Sequence, residues 1–226
     1  QLPVNPKAFH FQKSLAQEMG RVAVPAIVMQ SMSSLMSMGM NGILNLWSET
    51  AVWVLGVYFK VQSFVFMPMF SINNGLIAIL SYNYGAKSRS RVSGAIRFGI
   101  LASLITALVG LVLLWVCAAP LLTVAFNAGE TALALGVPAL RMTALAFPVA
   151  AVSIACSAAF QSLGRSVDSL IVTLLRQLVL LLPIAFLLVR TIHDYTFLSF
   201  LLAELGACVV ALVLFARLYR ITISHI

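Results

Sequence analysis

Two ionisable residues lie deep inside apolar stretches, and their chemistry needs a physical reason. Glu204 sits near the middle of the run from Tyr195 to Leu218, and Arg176 lies a third to halfway along the run from Leu170 to Val189. A charge at the centre of a lipid-facing helix costs about 2.5–3.5 kcal/mol on insertion scales, so both side chains should face other helices or water. Being on consecutive runs, they can form a structural ion pair or anchor each other's backbone. The alternative is that Glu204 carries a coupling proton. Lys60 lies inside another apolar run, and Arg141 lies near the end of a fourth, where its long stem can snorkel to the interface.

Uncharged polar residues form a second pattern. Gln30, Ser34, Ser37, Asn41 and Asn45 are spaced by 4, 3, 4 and 4 residues. At about 100° per residue that spacing is one stripe of a helix. Lys60, Ser63, Met67, Ser71 and Asn74 make a similar stripe on the following run, with Asn73 beside it. Two adjacent striped helices can line a wet cavity, with Gln30, Asn41, Asn45, Lys60, Asn73 and Asn74 as polar lining candidates. The competing reading is interhelical hydrogen bonding, which Ser and Asn commonly supply in membranes. Met67 and Phe70 add adaptable apolar surface suited to varied organic ligands. Pro68, Gly75 and Pro148 are candidate bending points, because proline removes a helix hydrogen bond and glycine adds a soft one.

These residues need membrane helices to hold them. The chain has 226 residues, 62% hydrophobic and 9% charged, where a soluble domain would have roughly 45–50% and about 25%. The surplus apolar surface must face lipid. The runs predict six spans: about 22–46, 51–82, 92–118, 137–163, 170–189 and 195–218. Each can cross a hydrocarbon core of about 30 Å. Residues 1–21 read as a linker with an amphipathic surface helix at Phe9–Met19, residues 22–218 as the six-helix lobe, and residues 219–226 as a tail.

Charge orients the spans. Lys7, Lys13, Arg21, Lys87, Arg89, Arg91, Arg97, Arg165, Arg217 and Arg220 fall on one side, while Glu49, Glu130, Asp194 and the cation Arg190 fall on the other. By the positive-inside rule both ends are cytoplasmic, as an even number of spans requires, and the expected location is the plasma (inner) membrane. The formal net charge of +8 is therefore topology rather than a nucleic-acid patch. Cys117, Cys156 and Cys208 lie singly in apolar runs, and His10, His193 and His225 lie outside or at the edges of the spans. No HExxH, Ser/His pairing, His/Asp cluster or Walker motif is present, which argues against an enzyme, a bound metal and ATP hydrolysis. No cofactor is expected. The chain begins at Gln1 and reads as a piece of a longer one.

The stretch from Phe64 through Met67-Pro68 to Asn74-Gly75, then Tyr82-Asn83-Tyr84-Gly85-Ala86-Lys87 and Arg91, resembles the MATE family (multidrug and toxic compound extrusion). Gly20 and Pro25 fit the seventh helix of that family, and Gln161–Gly164 the end of its tenth. The resemblance implies an all-α membrane protein, here the carboxyl-terminal six-helix lobe of a twelve-helix transporter. It implies secondary-active antiport of cationic or amphipathic compounds by alternating access, coupled to H+ or Na+. The implied partners are an amino-terminal lobe, the lipid bilayer and small organic drugs. Some members place an acidic cation ligand in the seventh helix. Here the first span has no carboxylate between Glu18 and Glu49, and the fourth has none, which assigns coupling to an acidic residue of the amino-terminal lobe. The alternative is a lipid-linked saccharide flippase or polysaccharide exporter of the same superfamily, for which Lys60 and Arg176 would be cavity cations. A truncated, non-transporting product is a third reading.

Overall fold

Hydrocarbon offers backbone groups no water, so a spanning chain has to pair them within its own helices. The computed structural model describes residues 13–221, and their regular structure is helical throughout. Helix α1 spans Lys13–Asn45, α2 Glu49–Gly85 and α3 Arg89–Pro120. A π-helical turn, Leu121–Ala125, extends α3. Helices α4 (Glu130–Ala144) and α5 (Ala146–Ser162) follow almost without a gap. Helix α6 (Ser166–Leu174) passes through a second π turn, Leu175–Val179, into α7 (Leu181–Thr191). A 3-10 segment, His193–Leu198, feeds α8 (Ser199–Ile221).

Among the described residues, five rods are long and apolar enough to cross a membrane: 49–85, 89–125, 130–162, 166–191 and 193–221. Helix α1, at 33 residues, matches them in length, but Gln30, Ser31, Ser33, Ser34, Ser37 and Asn41 dilute its apolar character. The chain is thus a multi-pass membrane protein made of five apolar rods and one polar-striped rod. Residues 9–12 of the expected surface helix and residues 222–226 of the expected tail lie outside the described residues; from Lys13 onwards the chain is already in α1.

The spans start and stop where local chemistry dictates. The Ser48 hydroxyl accepts the Ala51 amide at 3.1 Å and caps α2, with Glu49 in the first turn against the helix dipole. Gly164, at φ +74°, closes α5, and Arg165 N–H reaches back to the Phe160 carbonyl at 2.8 Å. At the end of α2 Gly85 is still helical, and Lys87 takes the left-handed conformation at φ +53°.

Proline acts differently in each rod. Helix α2 runs unbroken through Pro68. The fourth rod breaks at Leu145, between α4 and α5. Pro148 has no N–H for the Ala144 carbonyl, and its ring crowds that carbonyl, so the break falls one turn before the proline. Pro183 has the same relation to Val179, the last residue of the second π turn, where Leu180 N–H bonds Leu175 O at 2.9 Å instead. The fifth span, expected at about residues 170–189, is thus a helix with a register shift at the π turn.

Small residues set the packing. In the fourth rod 72% of the most apolar stretch is buried, against 39% or less in the other four. Ala150, Ala151, Ala155, Ala158 and Ala159 let α2, α3 and α8 approach it closely. Helices α2 and α3 meet through Gly99 against Leu76 and Gly110 against Val65, where any added Cβ would strike a side chain. Replacing Gly110 by Leu should overpack this seam and cost about 1–3 kcal/mol, read as a lowered unfolding temperature in detergent. The same change at Gly56, where nothing lies within 4 Å of an added Cβ, should leave that temperature nearly unchanged.

Candidate functional site

The π turn between α6 and α7 carries Arg176 and Gln177, both partly buried. Arg176 reaches α8, where its Nη2 lies 3.0 Å from Glu204 Oε1, with only 11% and 12% of the two side chains exposed. This is the ion pair that the sequence left open as one of two roles for Glu204. It is incomplete. Arg176 Nε, Glu204 Oε2 and Gln177 Oε1 are buried without a hydrogen-bond partner among the described residues. A buried pair of this kind repays its desolvation only when the remaining groups are met as well.

Arg176 and Gln177 border two cavities, and Glu204 borders the first of them. The first, of about 370 Å³, lies among α1, α2, the π turn and α8. Its walls are aromatic: Tyr58, Phe59, Phe66, Phe70 and Phe200, with Met36 and Met67. Ring contacts brace them, Tyr58 on Phe200 at 4.9 Å and Phe66 on Phe147 at 5.3 Å between centroids. The second, of about 390 Å³, lies towards the end of the lobe that carries both described termini. It is more polar, with Gln30, Asn73, Asn74, Gln161, Ser169 and Thr173 in its walls. Ser33, Phe70, Arg176 and Gln177 border both cavities, so one thin layer of side chains separates them.

The structure distributes the other sequence candidates as follows. Gln30, Asn73 and Asn74 line the second cavity, Met67 the first, and Phe70 both. Asn73 donates to the Met69 carbonyl at 2.8 Å and to the Ser103 hydroxyl at 3.2 Å, tying α2 to α3, while its Oδ1 is unpaired. Asn41 borders a shallow hollow with Ser34, Ser37 and Met38 on the open face of α1, and Asn45 is exposed at the end of that helix. Lys60 does not line either main cavity. Its ammonium sits 5.7 Å from the Phe126 ring, which packs edge-on to Trp53. Pro68 and Gly75 are exposed on α2, and Pro148 is half-buried in the first turn of α5. Arg141 is exposed, donating to the Trp115 carbonyl at 3.2 Å.

Some serines bond between helices, Ser103 accepting from Asn73 and Ser81 donating to the Ser162 carbonyl at 3.1 Å, but others do not. Ser31, Ser63 and Ser71 each turn their hydroxyl back to the carbonyl four residues earlier in their own helix. Gln177 and Tyr58 were not singled out from the sequence. Gln177 had a legible signal, an amide beside a charge in an apolar run; Tyr58 had none, because its role comes from Phe200 and Glu204 arriving from α8.

The sequence matches the family MatE over residues 25–187, well over half of the chain. The chain belongs to the MatE family. No curated protein sequence matches it significantly. Among solved structures, the MatE chain is similar to an outward-facing multidrug resistance MATE family transporter of the MOP superfamily, at 18% identity and a TM-score of 0.86, covering 95% of this chain and 49% of that one. A Vibrio cholerae MATE transporter, VcmN, in an aspartate-to-asparagine mutant form, is 19% identical with a TM-score of 0.85 over 95% and 49% of the two chains. A MOP superfamily transporter from Pyrococcus furiosus, described as having a binding pocket of reversed polarity, gives 18% and 0.85 over the same shares. This MatE chain thus spans about half the length of the solved transporters it matches. The fold is that of a transporter lobe.

The Arg176–Glu204 pair makes a direct energetic prediction. Glu204→Leu strands a buried guanidinium and should cost about 3–5 kcal/mol, whereas Arg176→Met with Glu204→Leu together should recover most of that loss. Thermal unfolding of the two single variants and the double variant checks this, and simple additivity would contradict it.

Proposed function

We propose that the chain is one lobe of a secondary-active antiporter that exports cationic or amphipathic organic compounds by alternating access, in exchange for H+ or Na+. The carrying observation is the pair of stacked cavities, one aromatic and one polar, inside a MatE lobe and divided by a thin charged layer. An apolar pocket with few convergent polar groups suits amphipathic ligands of varied shape. Phe64, Met67 and Phe70 on α2 and Met38 on α1 are exposed and offer an apolar flank for an amino-terminal lobe to face across a cleft. The similar transporters are about twice as long, which supports a second lobe as partner. The excess of Lys and Arg on the side of both termini supports cytoplasmic ends in the inner membrane. Coupling is assigned to an acidic residue of the partner lobe, with Glu204 as the one deep carboxylate on this side.

A flippase for lipid-linked saccharides is the second reading, and the reversed pocket polarity named for the Pyrococcus furiosus transporter shows that such variation is worth weighing. A carrier of anionic pyrophosphate needs free cavity cations. The two main cavities have one, Arg176, and it is already paired. That favours the antiporter.

In proteoliposomes holding the protein at its natural length, an imposed proton or sodium gradient should drive ethidium transport. Glu204→Gln should lower the rate several-fold without reducing membrane insertion, and Lys60→Ala, remote from both cavities, should have the smaller effect. Ethidium flux indifferent to both gradients would sink the antiporter reading.

A further inference from the structure

Positive charge is unbalanced at the end of the lobe that carries both described termini. Arg89 and Arg91 occupy the first turn of α3, with Lys87 just before it, and that turn has no acid. The helix dipole favours acids there and disfavours cations. Neither α3 nor α8 beyond Glu204 contains a carboxylate, and Asp168 at the start of α6 is held by Arg165 at 2.6 Å. Charge asymmetry between loops accounts for cations on this side, but not for their position within the helices. Helices α3 and α8 both pack on α5 and not on each other. Tyr219, in the last turn of α8, bridges them. Its ring lies 6.0 Å from the Arg89 guanidinium, its hydroxyl meets Ser93 and Arg89, and Arg97 is close enough to act on that hydroxyl. Arg89, Ser93 and Arg97 recur every four residues and share one face of α3, with both arginines exposed.

Depth decides what such a pair of cations can meet. The rod that α3 opens has 37 residues and is about 55 Å long, so it exceeds a hydrocarbon core of about 30 Å by about 12 Å at each end. Arg97 lies about 12 Å along the helix from Arg89, at the boundary between hydrocarbon and headgroups. Its side chain leans towards the helix N-terminus, and hence towards the phosphate layer. On the hydrocarbon side of Arg97 the exposed face of α3 turns apolar, through Phe98, Leu101 and Ile105. We propose that Arg89 and Arg97, with Tyr219 holding Arg89 in place, bind the headgroup of an anionic phospholipid from the leaflet at this end. The lipid phosphate accepts from both guanidinium groups, and an acyl chain lies along Phe98, Leu101 and Ile105. The net negative charge of the lipid offsets the cations at the start of α3, and its body ties α3 to α8 where the two helices do not pack. A free anion would gain nothing from the apolar strip, which is why the occupant is a lipid. The site lies apart from both cavities and does not depend on what the lobe transports.

The test uses the purified protein at its natural length in a neutral detergent. Phosphatidylglycerol, phosphatidylcholine with the same chains, and inorganic phosphate are added separately. Native mass spectrometry measures bound lipid, and thermal unfolding reads the effect of binding. Phosphatidylglycerol should bind at least about tenfold more tightly than phosphatidylcholine and raise the unfolding temperature further. Inorganic phosphate at equal concentration should neither displace it nor stabilise the protein. Arg89→Gln and Arg97→Gln should each weaken phosphatidylglycerol about fivefold, the effect of one arginine near an anionic lipid surface, and leave phosphatidylcholine unchanged. Arg91→Gln removes a charge from the same end, but about 200° around α3 from Arg89, and should weaken binding less than about twofold. Each comparison is a ratio between two lipids on one variant, so a variant of lowered stability still reports. Equal binding of the two lipids, or a preference that survives both Arg89→Gln and Arg97→Gln, overturns the inference. An Arg91→Gln effect as large as that of Arg89→Gln overturns it in favour of diffuse surface charge, and displacement by inorganic phosphate in favour of a free-anion site.

Discussion

Every backbone donor and acceptor in a hydrocarbon layer has to find a partner inside the protein, and the architecture follows from that requirement. It makes each span a helix, and it makes each defect in a helix a local event with a nearby remedy. Pro148 breaks the fourth rod at Leu145, and Pro183 is accompanied by a π turn at Leu175–Val179. The second of these matters for the site. The π turn carries Arg176 and Gln177, and both residues border the two cavities.

Packing then depends on small residues, because lipid gives helices no hydrophobic reason to associate. Alanines on α5 and glycines on α3 bring the rods close, and the close rods leave little unfilled space on the side of α3, α4 and α5. Space is kept elsewhere: the first cavity lies among α1, α2, the π turn and α8, and the second among α1, α2, α6, the π turn and one flank of α5. From the polar stripe of α1, Ser37 lines the first cavity and Gln30 the second, while Ser34 and Asn41 border hollows on the open face of the helix.

Within the site, one ion pair organises the chemistry. Arg176 and Glu204 neutralise each other, border the cavities and leave three polar atoms without partners. The aromatic wall from α2 and α8 surrounds them with low-dielectric surface, which strengthens any interaction made there and penalises any left unmade.

Membrane class, the number of rods and the alternation of charged loops were legible in the sequence, because each is set by composition along the chain: apolar run length, Lys and Arg position, and the turn chemistry of residues such as Ser48 and Gly164. The polar stripe of α1 and the pairing option for Arg176 and Glu204 were legible as well, since helical spacing fixes which residues share a face. Lys60 was not. Sequence placed it on a stripe with Ser63 and Met67, but Phe126, 66 residues later, draws its ammonium away from the cavities. Tyr58 was missed for a related reason: its neighbours Phe200 and Glu204 come from a rod distant in sequence. Periodicity determines the face of a helix, and only the packing of other helices onto that face decides whether it becomes a seam or a cavity.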